Sequence, residues 1–207
     1  MSKKLLFNTS IQSSEPELDK NYNYYVFDTS KVSGSTTISL LSRIDEDSWD
    51  ELTDWGDGTI DSSQKHTYAS DGIYTVKTKY TVCGKDSLDD LRANLYDEYK
   101  NTILMLIKCL NVVPNVSVRI SNMFHNCSNL TYADVSNIKT SSNFTDTSGM
   151  FYWCTKLEEL NLSNLNMDNV TTTTDMFTQC SKLHIANVKM DNCSESTIAK
   201  LTELIPA

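Results

Sequence analysis

A phrase of eight residues recurs three times in the C-terminal half of this chain and limits what the chain can fold into. The copies begin at Met123, Met150 and Met176, and each reads Met-Phe-x-x-Cys-x-x-Leu. They are spaced 27 and then 26 residues apart. A fixed period of this size is typical of stacked structural units, none of which can bury its apolar face alone. Such a stack presents an extended surface, which favours binding over catalysis.

The repeated residues of the phrase are predicted to face the core. Equivalent positions of successive repeats lie above one another, so the cysteines would form a buried column of free thiols. The predicted anchors are Met123, Phe124, Cys127, Leu130, Met150, Phe151, Cys154, Leu157, Met176, Phe177, Cys180 and Leu183. The phrase itself fits a short helical turn. The alternation at Leu160 and Leu162 predicts one short strand per repeat.

Composition and charge exclude several classes of protein. A net charge of −9 argues against a nucleic-acid partner, because phosphate binding needs a surplus of Lys and Arg. The apolar stretch from Ile103 to Val113 is too short for a membrane span, and Met1 to Ser10 lacks the apolar run of a signal peptide. Without a secretory context the six cysteines do not predict disulfides, and without a Cys-x-x-Cys pair they do not predict a zinc site.

Residues 35 to 85 have the pattern of strands and tight turns. One face of a predicted strand carries Tyr74, Val76, Thr78, Tyr80 and Val82, while Lys77 and Lys79 lie on the other, and this period of two predicts a strand with one buried face. The Gly-Asp-Gly sequence at 56–58 suits the positive φ angles of a hairpin turn.

This segment resembles a PKD-type domain, which is an immunoglobulin-like β-sandwich. The resemblance rests on Trp55 to Thr59, His66 to Tyr68 and Gly72 to Val76, which follow the order and spacing of that family. It implies that the tryptophan packs in the core and that the Asp-Gly turn fixes the hairpin. The residues assigned to this turn and core are Trp55, Gly56, Asp57, Gly58, His66 and Tyr68.

The repeats resemble BspA-type leucine-rich repeats, which occur in bacterial and mobile-element surface proteins. The resemblance rests on the Met-Phe-x-x-Cys-x-x-Leu phrase and on the Ser-, Asn- and Thr-rich residues between its copies, over about 120 to 190. The period also lies within the range of leucine-rich repeats. Residues 194 to 205 then predict an amphipathic capping helix, with Ile198, Leu201 and either Leu204 or Ile205 facing inward.

The expected fold is mainly β with some α: an Ig-like sandwich followed by a short α/β solenoid with a C-terminal capping helix. Residues 1–34 are assigned to an N-terminal arm that docks on a partner. Residues 35–117 are assigned to the sandwich, with a helical insertion around 87–100, and residues 118–207 to the repeats and their cap.

Two segments have alternative interpretations. Residues 21–27 are the one strand-like part of the arm, and they fit the first strand of the sandwich equally well. Residues 103–107 either extend the inserted helix or form a strand. The β-branched Val112 and Val113 that follow favour a strand, which would bridge the sandwich and the repeats.

The sequence carries no pattern that predicts an enzyme. It has no phosphate-binding loop, no His-Glu-x-x-His and no Gly-x-Ser-x-Gly, and its three histidines lie far apart. No cofactor is predicted. The acidic residues of the 45–57 loop could bind calcium, but they lack the ordered spacing of a known calcium loop, so a solvated loop is favoured.

The hydroxyl and amide residues between the anchors predict a polar surface that either binds a glycan or protein or keeps the chain soluble. Its members are Ser141, Asn143, Asn164, Asn166, Thr172 and Thr174. We expect a non-enzymatic bacteriophage virion protein, a capsid decoration, head fibre or tail-associated protein, which contacts a host or mucosal surface. Its arm would bind other virion proteins. The alternative is a bacterial cell-surface adhesin or a carbohydrate- or protein-binding module; ligand and oligomeric state stay open.

Overall fold

The computed structural model describes residues 18–19, 22–31, 37–39, 52–63, 65–78, 104–108, 120–138, 140, 142 and 144–205. These residues form ten β-strands and one α-helix, so the fold is mainly β with some α, as predicted. The strands are β1 (Asn23–Asp28), β2 (Thr37–Ser39), β3 (Thr53–Asp54), β4 (Ile60–Asp61), β5 (Lys65–Thr67), β6 (Ile73–Thr78), β7 (Leu104–Lys108), β8 (Tyr132–Asp134), β9 (Glu159–Asn161) and β10 (Val188–Lys189). The helix is α1 (Glu195–Leu204), and short 3-10 helices lie at Thr29–Lys31 and Ile185–Asn187.

Eight of these strands form one mixed sheet that runs through both halves of the chain. Their order is β10-β9-β8-β7-β1-β6-β3-β4, while β2 and β5 form a separate two-stranded sheet. Strand β7 is antiparallel to β1 on one side and parallel to β8 on the other. The described part of the 103–107 stretch, residues 104–107, is therefore a strand, as its β-branched neighbours predicted, and it joins the antiparallel half to the repeats.

Strand β1 lies inside this sheet, between β6 and β7. Its Tyr25 and Phe27 are buried, with ring centroids 6.3 Å apart. The assignment of 1–34 to an arm is thus wrong for β1, which is a strand of the large sheet, as the alternative interpretation predicted. Aromatic side chains bury more apolar surface in a sheet than on a projecting arm. Residues 1–17 and the predicted helical insertion around 87–100 lie outside the described residues.

The first half of the chain has two layers that meet at Trp55. The large sheet supplies Phe27 and Val76, and the small sheet supplies Ile38, all of them buried. The ring of His66, on β5, stacks on the indole of Trp55 at a centroid distance of 5.2 Å. The predicted alternation of β6 is confirmed where it is described, since Val76 and Thr78 are buried.

Each repeat of 26 or 27 residues forms one coil of the stack, and the strands of neighbouring coils pair in parallel. Ala133 of β8 lies opposite Leu160 of β9, which lies opposite Val188 of β10. Leu160 and Leu162 are both buried, as the alternation predicted. Each coil therefore adds one short strand to the sheet and buries its apolar residues against the next coil.

Helix α1 begins after Ser194, whose hydroxyl accepts a hydrogen bond from the N–H of Thr197 at 3.1 Å. Leu201 and Ile205 are buried, as predicted for a cap. The prediction for Ile198 is wrong, because its side chain is exposed. Thr197 takes the inward position instead, since its hydroxyl accepts the N–H of Met167 at 2.9 Å.

Candidate binding surface

Neighbouring coils of the repeats are joined by backbone hydrogen bonds at every second residue. The N–H groups of Asn122, Phe124 and Asn126 donate to carbonyls of the next coil over 2.7 to 2.8 Å. The intervening Met123 and His125 donate within their own coil, to the carbonyl three residues back. The predicted helical turn is therefore wrong. In an α-helix each N–H donates to the carbonyl four residues back. Here alternate N–H groups donate to carbonyls of the next coil instead.

The predicted anchors are buried in every copy of the phrase. At the centre of the stack the ring of Phe151 lies between those of Phe124 and Phe177, at centroid distances of 5.2 and 5.6 Å. Aromatic rings at these separations attract one another beyond the gain from burial. The anchors hold the coils together and are not accessible to a partner.

The cysteine column is buried, and its thiols donate hydrogen bonds between coils. Sγ of Cys154 donates to the carbonyl of Phe124 at 3.1 Å, and Sγ of Cys180 to that of Phe151 at 3.0 Å. Burial, and secondarily a hydrogen bond with Cys127, raises the pKa of the Cys154 thiol well above 9.0. Burial raises the pKa of Cys180 to about 12. Since thiolates are the nucleophiles and metal ligands, these protonated thiols are structural.

The two positions between Phe and Cys of each phrase are partly or fully exposed and form two outward columns. The first column contains His125, Tyr152 and Thr178, and the second contains Asn126, Trp153 and Gln179. Coils that are hydrogen-bonded in this way lie about 4.8 Å apart, so the members of a column are close neighbours. The sequence pattern did not predict a role for either column. The aromatic pair at 152–153, where the other copies are mostly polar, is the signal that it missed.

Trp153 differs from the rest of the exposed repeat surface. Its side chain is 47% exposed and its backbone lies at φ +59°. A bulky residue at positive φ is an outlier. The other non-glycine residues at positive φ in the described part of the chain are Asn122, Asn126, Asn164, Asp175, Gln179 and Asn192. The ring of Tyr152 lies 6.3 Å from the indole and stacks on His125 at 4.8 Å. We call Tyr152 and Trp153 the aromatic patch.

The predicted ligand-face asparagines stabilise the fold. The Asn164 amide donates to the carbonyl of Ser136 at 3.3 Å and accepts from the amide of Asn192 at 3.0 Å. Oδ1 of Asn166 accepts the N–H of Asp168, which is an Asx turn. Both side chains are exposed, but the amide of Asn164 and Oδ1 of Asn166 already have partners in these bonds.

Thr172 and Thr174 are exposed on the outside of the stack. Their carbonyls accept the N–H groups of Thr147 and Gly149 in the preceding coil, both at 2.9 Å. Their backbones are therefore fixed while their side chains face solvent. The other two predicted positions, Ser141 and Asn143, lie outside the described residues.

The residues assigned to the turn and core of the sandwich come together at one place. Trp55 is fully buried, and its carbonyl accepts the hydroxyl of Tyr68 at 2.8 Å. Nε2 of His66 lies 2.7 Å from Oδ2 of Asp57. Gly56 and Gly58 both have the predicted positive φ.

Asp57 acts as the acceptor of this turn. The N–H of Thr59 donates to its carboxylate at 2.9 Å. That hydrogen bond and the contact with His66 hold the pKa of Asp57 below its ordinary value of 3.8. The arrangement fixes the hairpin, and it contains no nucleophile beside the histidine.

Two acidic residues of the 45–57 loop, Asp54 and Asp57, lie within the described ranges. Oδ1 of Asp54 accepts the N–H of Gly56. No group of three or more His, Cys, Asp or Glu side chains in those ranges is arranged to hold a metal ion. Within the same ranges, no helix combines the length and apolar character needed to cross a bilayer.

The fold and surface define a class of protein, a mainly β chain in which a two-layered half continues into a stack of repeated coils. Residues 111–203, which include the repeats and all of α1 but its last residue, match the sequence model of a family described as Mycoplasma protein of unknown function, DUF285. Neither the curated proteins nor the solved structures contain a significant match to the chain.

Proposed function

We propose that this protein is a non-enzymatic binding protein, displayed on an external surface, that contacts its partner through the outward residues of its repeats. One observation carries the proposal. The repeated residues are all used in the core, whereas the positions between them carry an exposed tryptophan at a strained backbone angle. The protonated, buried thiols and the turn-bound Asp57 support a binding role over a catalytic one.

As the location we propose the surface of a bacteriophage particle, on which the protein would be a capsid decoration, head fibre or tail-associated component. The continuous sheet supports this, since it joins the repeats directly to the other half of the chain, which leaves the repeats to project while the other half is attached. The alternative location is a bacterial cell surface. It is favoured by the match of residues 111–203 to a family that is described from Mycoplasma.

The resemblances to a PKD-type domain and to BspA-type repeats belong to this proposal. The first is supported by the buried Trp55 and by the contact between Asp57 and His66. The second is supported by parallel strands one coil apart and by the stacked anchors. Both families imply modules that bind or display, in agreement with the proposed role.

The test uses the purified full-length chain, with a fluorescent label, on whole bacterial cells and on mucin-coated plates. We expect saturable retention that unlabelled protein competes away. Absence of retention on both supports would overturn the binding function. Mass spectrometry of purified phage particles decides the location: peptides of this chain in the particles support the virion, and their absence together with peptides in a bacterial surface fraction supports the cell surface.

A further inference from the structure

We propose that the aromatic patch is the stacking platform of a binding site for a neutral saccharide. This inference rests on the proposed function and names the class of ligand for the same repeat surface. The indole of Trp153 is the larger and more exposed ring of the patch. Tyr152 lies beside it, at a centroid distance of 6.3 Å, and is itself stacked on the ring of His125.

The backbone of Trp153 indicates that the indole is there for a reason other than folding. The residues at the same position in the adjacent coils are Asn126 and Gln179, and both adopt the same positive φ. Asparagine tolerates this conformation far better than a bulky side chain does. A strained residue that is also exposed contributes little to the core, and such outliers concentrate at binding sites.

The surroundings of the indole suit sugar hydroxyl groups. One face of a pyranose ring carries C–H groups that pack on an aromatic ring, and its hydroxyls need donors and acceptors at the rim. The hydrogen bond from the N–H of Trp153 to the carbonyl of Thr178, 2.9 Å long, places Gln179 in the next coil beside the platform. Asn126 occupies the equivalent position in the preceding coil. Thr178 adds a hydroxyl that donates to Oδ1 of Asp175 at 2.9 Å. Amides, a hydroxyl and a carboxylate can together donate to and accept from a sugar.

The size of the patch favours a saccharide over a protein partner. A stable protein interface buries about 800 Å² on each partner around an apolar centre. The patch offers one exposed indole and one half-buried phenol. The other exposed large apolar side chains in the described ranges lie elsewhere, at Leu52, Ile60, Ile73 and Ile198. An aromatic surface of this extent matches one or two sugar rings.

The test compares the full-length chain with Trp153→Asn, which introduces the residue of the preceding coil. The probes are an array of neutral oligosaccharides of glucose, galactose, mannose and their N-acetylamino forms, and mucin before and after periodate oxidation. We expect the wild type to bind array spots and untreated mucin, and to lose binding to mucin after periodate oxidation. Trp153→Asn should bind at least about tenfold more weakly. Its thermal midpoint should equal or exceed that of the wild type. Ile198→Asn removes an exposed apolar side chain elsewhere and should bind normally.

Three results would overturn the saccharide site. The first is unchanged binding by Trp153→Asn. The second is mucin binding that survives periodate. The third is retention on whole cells without binding to any array spot, which would indicate a protein partner and leave the proposed function intact. Absence of binding to cells, mucin and array alike would overturn the proposed function as well, so the two failures are distinguishable.

Discussion

Gly56 allows the turn after β3 to approach the backbone of β6 more closely than any other residue would. A Cβ at this position would lie 2.5 Å from the carbonyl oxygen of Thr75, and φ is +81°. Gly58, two residues later, has φ +96°, but a Cβ there would meet nothing within 4 Å. Both glycines are therefore needed for their positive φ angles, whereas Gly56 is also needed because a Cβ would collide with Thr75.

This difference predicts unequal effects of Gly56→Ala and Gly58→Ala. The alanine at 58 should lower the free energy of unfolding by about 1 to 2 kcal/mol, because an L-residue is strained at positive φ. The alanine at 56 should lower it by a further 1 to 3 kcal/mol or so, because its Cβ collides with the backbone of Thr75. Urea unfolding followed by circular dichroism measures both. Equal losses would contradict the steric argument.

The buried thiols predict that the cysteine column resists alkylation. At pH 8 the folded protein should show little iodoacetamide labelling at Cys154 and Cys180, because burial both blocks access and keeps the thiol protonated. The same residues should label fully in concentrated urea, which is the control. Peptide mass spectrometry resolves each site. Rapid labelling of Cys154 in the folded protein would show that the column is open to solvent.

At the scale of elements, α1 is attached to the repeats by polar groups as well as by apolar burial. The N–H of Met167 donates to the hydroxyl of Thr197, and Nζ of Lys200 donates to the carbonyls of Met167 and Val170 at 2.8 and 3.1 Å. The apolar spacing of residues 198 to 205 predicted the helix, but it predicted the wrong inward residue at its start. Periodicity counts apolar side chains and takes no account of a backbone N–H that needs an acceptor.

Thr197→Val should therefore destabilise the protein although it preserves shape. The valine cannot accept the buried N–H of Met167, and an unpaired buried donor costs about 1 to 3 kcal/mol. Thr202→Val makes the same chemical change at an exposed position of the same helix and should alter the free energy of unfolding by less than about 0.5 kcal/mol. Thermal and urea unfolding compare the two variants. Similar small losses in both would mean that α1 is held by its apolar residues alone.

The repeated phrase also shows where local pattern and tertiary structure diverge. Its spacing of apolar residues predicted the buried anchors, because the side chains that face the core recur whatever the local backbone does. The same spacing suggested a helical turn, which is wrong because alternate N–H groups, such as that of Phe124, bond to the next coil. A hydrogen bond between residues 26 positions apart cannot be predicted from the local sequence pattern.

At the scale of the whole molecule, the period of the phrase and the pattern of β6 were enough to predict a mainly β chain in two parts. The continuity of the sheet was not predictable from them. It depends on β1, whose aromatic residues fit a docking arm as well as a strand until β6 and β7 are known to flank it. The aromatic patch was missed for a related reason. Trp153 is notable only once its exposure and its positive φ are known.

A sheet shared by both halves predicts that they unfold together. Buried residues of the first half, such as Trp55, and of the repeats, such as Phe151, belong to one hydrophobic cluster. Phe151→Ala should lower the free energy of unfolding by about 3 to 5 kcal/mol, because it leaves a cavity between two stacked rings. Hydrogen exchange should then accelerate in β6 as much as in β9, since both open in the same event. Thr174→Ala, on the exposed side of the coil, should leave exchange in both strands unchanged. Faster exchange in β9 with unaltered protection of β6 would show instead that the strand β7 joins two units that unfold independently.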